Sequence, residues 1–168
     1  MSDKKRILSA SKQRVLKVAH SLFAKLFGLG LIVLLVLMIG RLGAGGSSRV
    51  AGDQILVNML TYVVNLGLLG AVVTSFIYAQ FTPWGFFRHR WIIVKWIVLA
   101  AALAVVIFGL VPTTMEIAAM TDGGMLPAQL VNEYKAAVRL GVLYCGIEIV
   151  LMITLSLLSH LKPRKKRK

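Results

Sequence analysis

Acidic residues are scarce in this chain. Six Asp and Glu stand against 20 Lys and Arg in 168 residues, a net charge of +14. Charged residues of either sign make up 15%, where a soluble domain carries about a quarter. With 58% hydrophobic residues and a mean hydropathy of +0.80, the chain cannot be disordered. A soluble nucleic-acid-binding domain could be this basic but not this apolar, so the charge gives no support for a nucleic-acid partner. Cysteine is nearly missing: Cys145 by itself excludes an internal disulfide framework and a multi-cysteine metal site. The chain also has no Gly-rich nucleotide loop, nucleophile elbow or metalloprotease helix pattern, which argues against a hydrolase of soluble type.

What is present is long apolar sequence. No Asp, Glu, Lys, Arg or His occurs from Leu26 to Gly40, from Gln54 to Phe87, from Trp96 to Met115, or in Leu140 to Ile147 and Ile149 to Ser159. A bilayer core of ~30 Å takes about 20 helical residues. The sequence therefore predicts four spans, at 22–42, 55–80, 91–111 and 137–161, in a single all-α integral membrane four-helix bundle over 1–168. Continuous rather than alternating runs exclude a β-barrel.

The basic residues predict the orientation. Sixteen of the 20 fall in the N-terminal segment (Lys4 to Lys25), the middle connection (Arg88, Arg90, Lys95) and the tail from Lys162 to Lys168. Both termini are thus expected in the cytoplasm, against anionic lipid. Trp84, Phe86, Phe87, Trp91 and Trp96 form an aromatic belt at that interface. A rival reading makes 1–45 a cleaved signal peptide, citing Gly43, Ala44 and Gly45. Its n-region of about 25 residues is far longer than usual, so retention of the first span is preferred.

Between the spans, Ser11 to Leu26 reads as an amphipathic helix. Its apolar positions Val15, Leu16, Ala19, Leu22, Phe23 and Leu26 are expected to lie on the inner leaflet, and residues 1–21 form a basic N-terminal segment. Residues 43–48 are a Gly- and Ser-rich linker. In the connection 112–136, Thr113 and Glu116 make a capping-box pattern, Gly123 and Gly124 would end a short helix, and Pro127 would start another. The short middle connection, with Pro83 and Gly85, predicts spans two and three as antiparallel neighbours. Gly67, Ala71 and Ser75 in span two, and Ala137, Gly141 and Cys145 in span four, are small-residue stripes suited to packing inside the bundle or to dimerisation.

Glu148 carries the most information. It lies 11 residues into span four, near the midplane, where a charge costs ~2.5–3.5 kcal/mol. Asn65 is at matching depth in span two. The pair predicts a proton, ion or cofactor site; the alternative is a neutral glutamate bonded to Asn65, Thr61 or Thr74. His20, His89 and His160 fall on the basic side, and His20 is the strongest ligand candidate because it sits on the apolar face of its helix. Met38, Met59, Met115, Met120 and Met125 gather toward the outer side, and thioethers suit Cu(I). Methionine is also ordinary core filler.

The stretch Phe81-Thr82-Pro83-Trp84-Gly85-Phe86-Phe87-Arg88-His89-Arg90-Trp91-Ile92-Ile93-Val94-Lys95-Trp96 resembles the middle loop of a family of small bacterial four-span proteins. Leu16-Lys17-Val18-Ala19-His20 and Leu161-Lys162-Pro163 resemble its histidine at the start of span one and its lysine-proline close. The family looks related to the copper-resistance D type proteins and is similar in plan to the four-helix protoporphyrinogen oxidases. The resemblance implies a haem- or porphyrin-linked function with His20 and Lys95 in one site. Three readings follow. One is a cofactor-binding redox protein using His20 and Lys95, with Glu148 deeper. Another is a small transporter or copper-handling protein resting on Glu148, Asn65 and the methionines. The last is a structural subunit that binds a membrane partner or a second copy.

Overall fold

The computed structural model describes residues 8–43, 48–81, 90–122 and 126–160. All their regular structure is helical, in four rods. The first rod is α1 (Ala10–Gly43). The second joins α2 (Ser48–Asn58) through a π-helical stretch (Met59–Val64) to α3 (Asn65–Phe81). The third joins α4 (Arg90–Val105) through another (Val106–Leu110) to α5 (Val111–Ala119). The fourth is a 3₁₀ turn (Ala128–Leu130) leading into α6 (Val131–His160). Each rod is long and apolar enough to cross a membrane. Helix is the form that satisfies every backbone group within one segment, as a lipid environment requires.

Every third or fourth residue of each rod faces the core. Phe27, Leu31, Leu34 and Met38 do so in the first rod, and Leu56, Leu60, Val64 and Leu68 in the second. The intervening positions are apolar too: Leu29, Val36, Leu69, Phe108 and Val150 are each more than half exposed. At most 33% of any rod's most apolar window is buried in the protein. A helix apolar all round, with most of that surface facing out, has the pattern of a membrane span.

The first rod is the hub. It packs against the second and the fourth, and the third packs on the fourth. Glycines set these close approaches. A Cβ on Gly67 would stand 2.5 Å from the Phe27 backbone nitrogen, one on Gly141 2.7 Å from the Met38 sulfur, and one on Gly109 2.8 Å from the Tyr144 ring. Both small-residue stripes therefore pack on the first rod.

The structure sharpens or corrects several expectations. First, the helix expected at Ser11 to Leu26 is continuous with the rest of α1 and packs on α3. From Phe23, which packs on Gly70, through His20 to Leu8, whose N–H reaches the Phe81 carbonyl at 3.3 Å, it runs beside α3. Its 34 residues span ~51 Å, more than a bilayer core. Second, the third rod continues to Ala119 instead of stopping near 111. Thr113 is buried inside α5 and caps nothing, while Thr114 bonds back to the Leu110 carbonyl at 2.7 Å. A Thr-x-x-Glu pattern marks a helix start where the chain before it is irregular, and here an apolar helix runs into it. Pro112, which lacks the N–H that a helix interior uses, sits in the first turn of α5, just after the wide turn at Val106–Leu110. Third, the second and third rods are neighbours only in part: α2 packs on α5, but α3 and α4 share no continuous interface. The rings of Phe76 and Trp96, with centroids 4.7 Å apart, bridge that gap. The connection 82–89 lies outside the described residues. At ~3.3–3.6 Å per residue, a segment of that length can cross a wide separation, so its shortness does not force contact.

Candidate functional site

At the end where the first rod starts and the fourth stops, here called the terminal end, α3 and α4 share no continuous interface beyond the Phe76 and Trp96 rings. His20 comes to it from α1, Thr74 and Ser75 from α3, Lys95 from α4 and Ser159 from α6. Imidazole Nδ1 lies 3.0 Å from Thr74 Oγ1 and 3.4 Å from Ser75 Oγ. Thr74 has one proton, and its hydroxyl is 2.6 Å from the Gly70 carbonyl and 3.1 Å from that of Ala71. That proton goes to a carbonyl, so the hydroxyl accepts from the ring. Nδ1 then carries the imidazole hydrogen, and Nε2 keeps its lone pair. This is the arrangement that orients a metal-binding histidine, whose second nitrogen donates to a fixed acceptor.

Lys95 Nζ donates to Ser159 Oγ at 2.6 Å and stands 5.4 Å from the Trp91 ring centroid. Ser159 in turn donates to the Leu155 carbonyl at 2.8 Å. Lys95 is near enough to His20 for its charge to act on the imidazole. The terminal end thus presents an imidazole lone pair, an ammonium and tryptophan faces around a gap. His89 lies outside the described residues, and His160 ends α6.

Glu148 occupies the middle of the bundle and is 0% exposed. Neither of its oxygens has a hydrogen-bond partner. Its depth follows from the register of α6 on α1: Gly141 meets Met38, and Met152 meets Gly28, which places Glu148 opposite Leu31. Cys145, one turn earlier, has its sulfur 4.0 Å from that of Met38. The expected bonds to Asn65, Thr61 and Thr74 are not made. Asn65 is half-buried at the start of α3, Thr61 is exposed, and Thr74 serves His20. Both π-helical stretches lie near this depth. Val63 and Val64 pack on Gly30, and Gly109 packs on Tyr144, one turn from Glu148. Such stretches are uncommon and often mark functional sites.

The opposite, distal end holds a cluster that the sequence reading passes over. Asp53 is 1% exposed. Tyr134 Oη lies 2.8 and 3.0 Å from its two carboxylate oxygens, and Thr121 Oγ1 donates to it at 3.1 Å. The Arg41 guanidinium covers the neighbouring Gly52, where any Cβ would collide with it. One side chain or backbone face from every rod or its end meets here. The signal available in the sequence was Asp53 itself, an acid beside a glycine at the edge of an apolar run. The methionines do not make one set: Met38 is fully buried beside Cys145, Met115 is exposed, and Met125 lies outside the described residues. No group of three His, Cys, Asp or Glu that could hold a metal ion occurs among the described residues. Comparison with protein-family models, with curated proteins and with solved structures finds no match to this chain.

Proposed function

We propose that this is a multi-pass protein of the bacterial inner membrane, with both ends cytoplasmic, that binds a haem or porphyrin-type group at its terminal end. The orientation is supported by Lys12, Arg14, Lys17, Lys25, Arg90 and Lys95, which all fall at that end, and by the basic tail that follows α6. Each basic residue near an anionic leaflet contributes about 1 kcal/mol. Anionic lipid is therefore the partner at that face.

The observation that carries the cofactor reading is the hydrogen bond from His20 to Thr74. It fixes the tautomer that leaves the Nε2 lone pair to act as the ligating atom. Lys95 supplies a cation suited to a propionate, and Trp91 supplies an apolar face. When bound, the group would contribute one-electron chemistry, its potential set by the axial ligand and its surroundings. The chain's own part is to hold the imidazole, to place the ammonium and to exclude water on the side closed by α1 and α6.

The test is an absorbance spectrum of the detergent-purified full chain, before and after addition of haem. A haem band that His20→Ala abolishes is the expected result. A wild-type chain with no band in either condition removes the reading. Thr74→Val deletes the acceptor but spares the ligand, so haem affinity should fall about 10-fold or more, as is usual for such orienting partners. Equal titration curves for Thr74→Val and wild type would show that the tautomer lock is irrelevant.

A further inference from the structure

Glu148 is not part of the terminal-end site. It is fully enclosed, and its two oxygens have no donor or acceptor. The groups at its level are apolar or sulfur: Leu31 and Leu34 on α1, Val106 and Leu110 on the third rod, Cys145 and Met152 on its own helix. A hard cation needs six or more oxygen ligands, or an octahedron of them, and no such shell exists here. A proton needs none, because one carboxyl is its complete site.

The fold also differs at its two ends. The distal end is drawn together by Asp53, Tyr134 and Thr121. Toward the terminal end, α3 and α4 stand apart, and the π-helical stretches of the same two rods lie near the acid. A π turn shifts the hydrogen-bond ladder and loosens the rod locally. The titratable group that faces Glu148 is Cys145. The buried face of α1 from Phe27 to Met38 has none, nor has Val106–Leu110, and His20 and Lys95 lie nearer the terminal end.

We infer that Glu148 is a proton-binding site that exchanges with the terminal-end solvent through the gap between α3 and α4, while the distal end stays shut. The inference does not depend on the cofactor reading. Glu148→Gln should leave haem binding at His20 intact, so either can fail without the other.

Dicyclohexylcarbodiimide partitions into lipid and modifies protonated carboxyls, which makes it the probe. The full chain is reconstituted in phosphatidylethanolamine and phosphatidylglycerol vesicles, and its orientation is scored by proteolysis of the basic tail. At neutral pH the expected product carries one adduct, mapped by peptide mass analysis of the wild type to Glu148, and Glu148→Gln does not acquire it. Alkaline buffer on the terminal side should suppress labelling, and the same buffer on the distal side should not. An unlabelled wild type, an adduct mapped to another acid, or suppression from the distal side would each overturn the inference. Because mapping is done on the wild type, the result does not hinge on how the variant folds.

Discussion

Gly67→Val should cost about 3 kcal/mol of stability, at the upper end of what overpacking does to a closely packed core. The added Cβ would lie 2.5 Å from the Phe27 nitrogen and 2.8 Å from its Cα. Those are backbone atoms of α1, which cannot rotate aside as a side chain does. The two rods must separate along an interface that continues through Gly30 on Val63 and Val64, and Gly70 on Phe23. Separation also pulls His20 away from Thr74, so the variant should lose haem affinity along with stability. Gly146→Ala is the matched control, because nothing lies within 4 Å of the Cβ it adds. Unfolding of the detergent-purified chain by SDS titration reads both. If Gly67→Val unfolds at the same SDS fraction as wild type, the first and second rods are not as close as described here.

Gly67 also shows where the sequence stops being readable. Its small size was visible, and so was the stripe it shares with Ala71 and Ser75. The surface it meets was not, because a small residue admits any neighbour and names none. In the same way, charge-free runs located four apolar helices, since a long run without charges has few other uses. The order in which they pack was hidden, because a connection sets an upper limit on separation and no lower one. Glu148 stood out as a lone acid in an apolar run. Its lack of any partner could not be foreseen, since Asn65 at similar depth offered a plausible one. His20 was legible from its apolar helix face, but the Thr74 contact joins residues 54 positions apart. The two π-helical stretches left no pattern at all. They shift a hydrogen-bond ladder, and side-chain periodicity over five or six residues does not report that shift.

Asp53 was missed for a physical reason, and its substitution should have the other large effect. Beside Gly52 and Gln54, at the margin of an apolar run, it reads as loop. In the fold it sits in the second turn of α2 and is buried. Asp53→Ala takes the carboxylate from the Tyr134 hydroxyl and from that of Thr121, which keeps the Ala118 carbonyl at 3.1 Å. A hydrogen bond to a charged group contributes about 1.5–3 kcal/mol in water-soluble proteins. Between membrane helices the average is nearer ~0.6, with a maximum of ~1.7, because separated helices find other partners in lipid. The higher range governs here, since Tyr134 is 0% exposed and its hydroxyl bonds the carboxylate in a fully buried place. The expected loss is about 2–3 kcal/mol. Tyr134→Phe, which leaves Asp53 the Thr121 bond, should cost about half as much. A double-mutant cycle separates the clasp from plain loss of packing. If the hydroxyl acts through Asp53, Tyr134→Phe will be nearly neutral once Asp53 is alanine. A Tyr134→Phe penalty of equal size in both backgrounds would mean that the hydroxyl acts independently of Asp53, and that their bond does not hold the distal end together. That outcome would also remove the reason for taking the distal end as the closed side of the bundle.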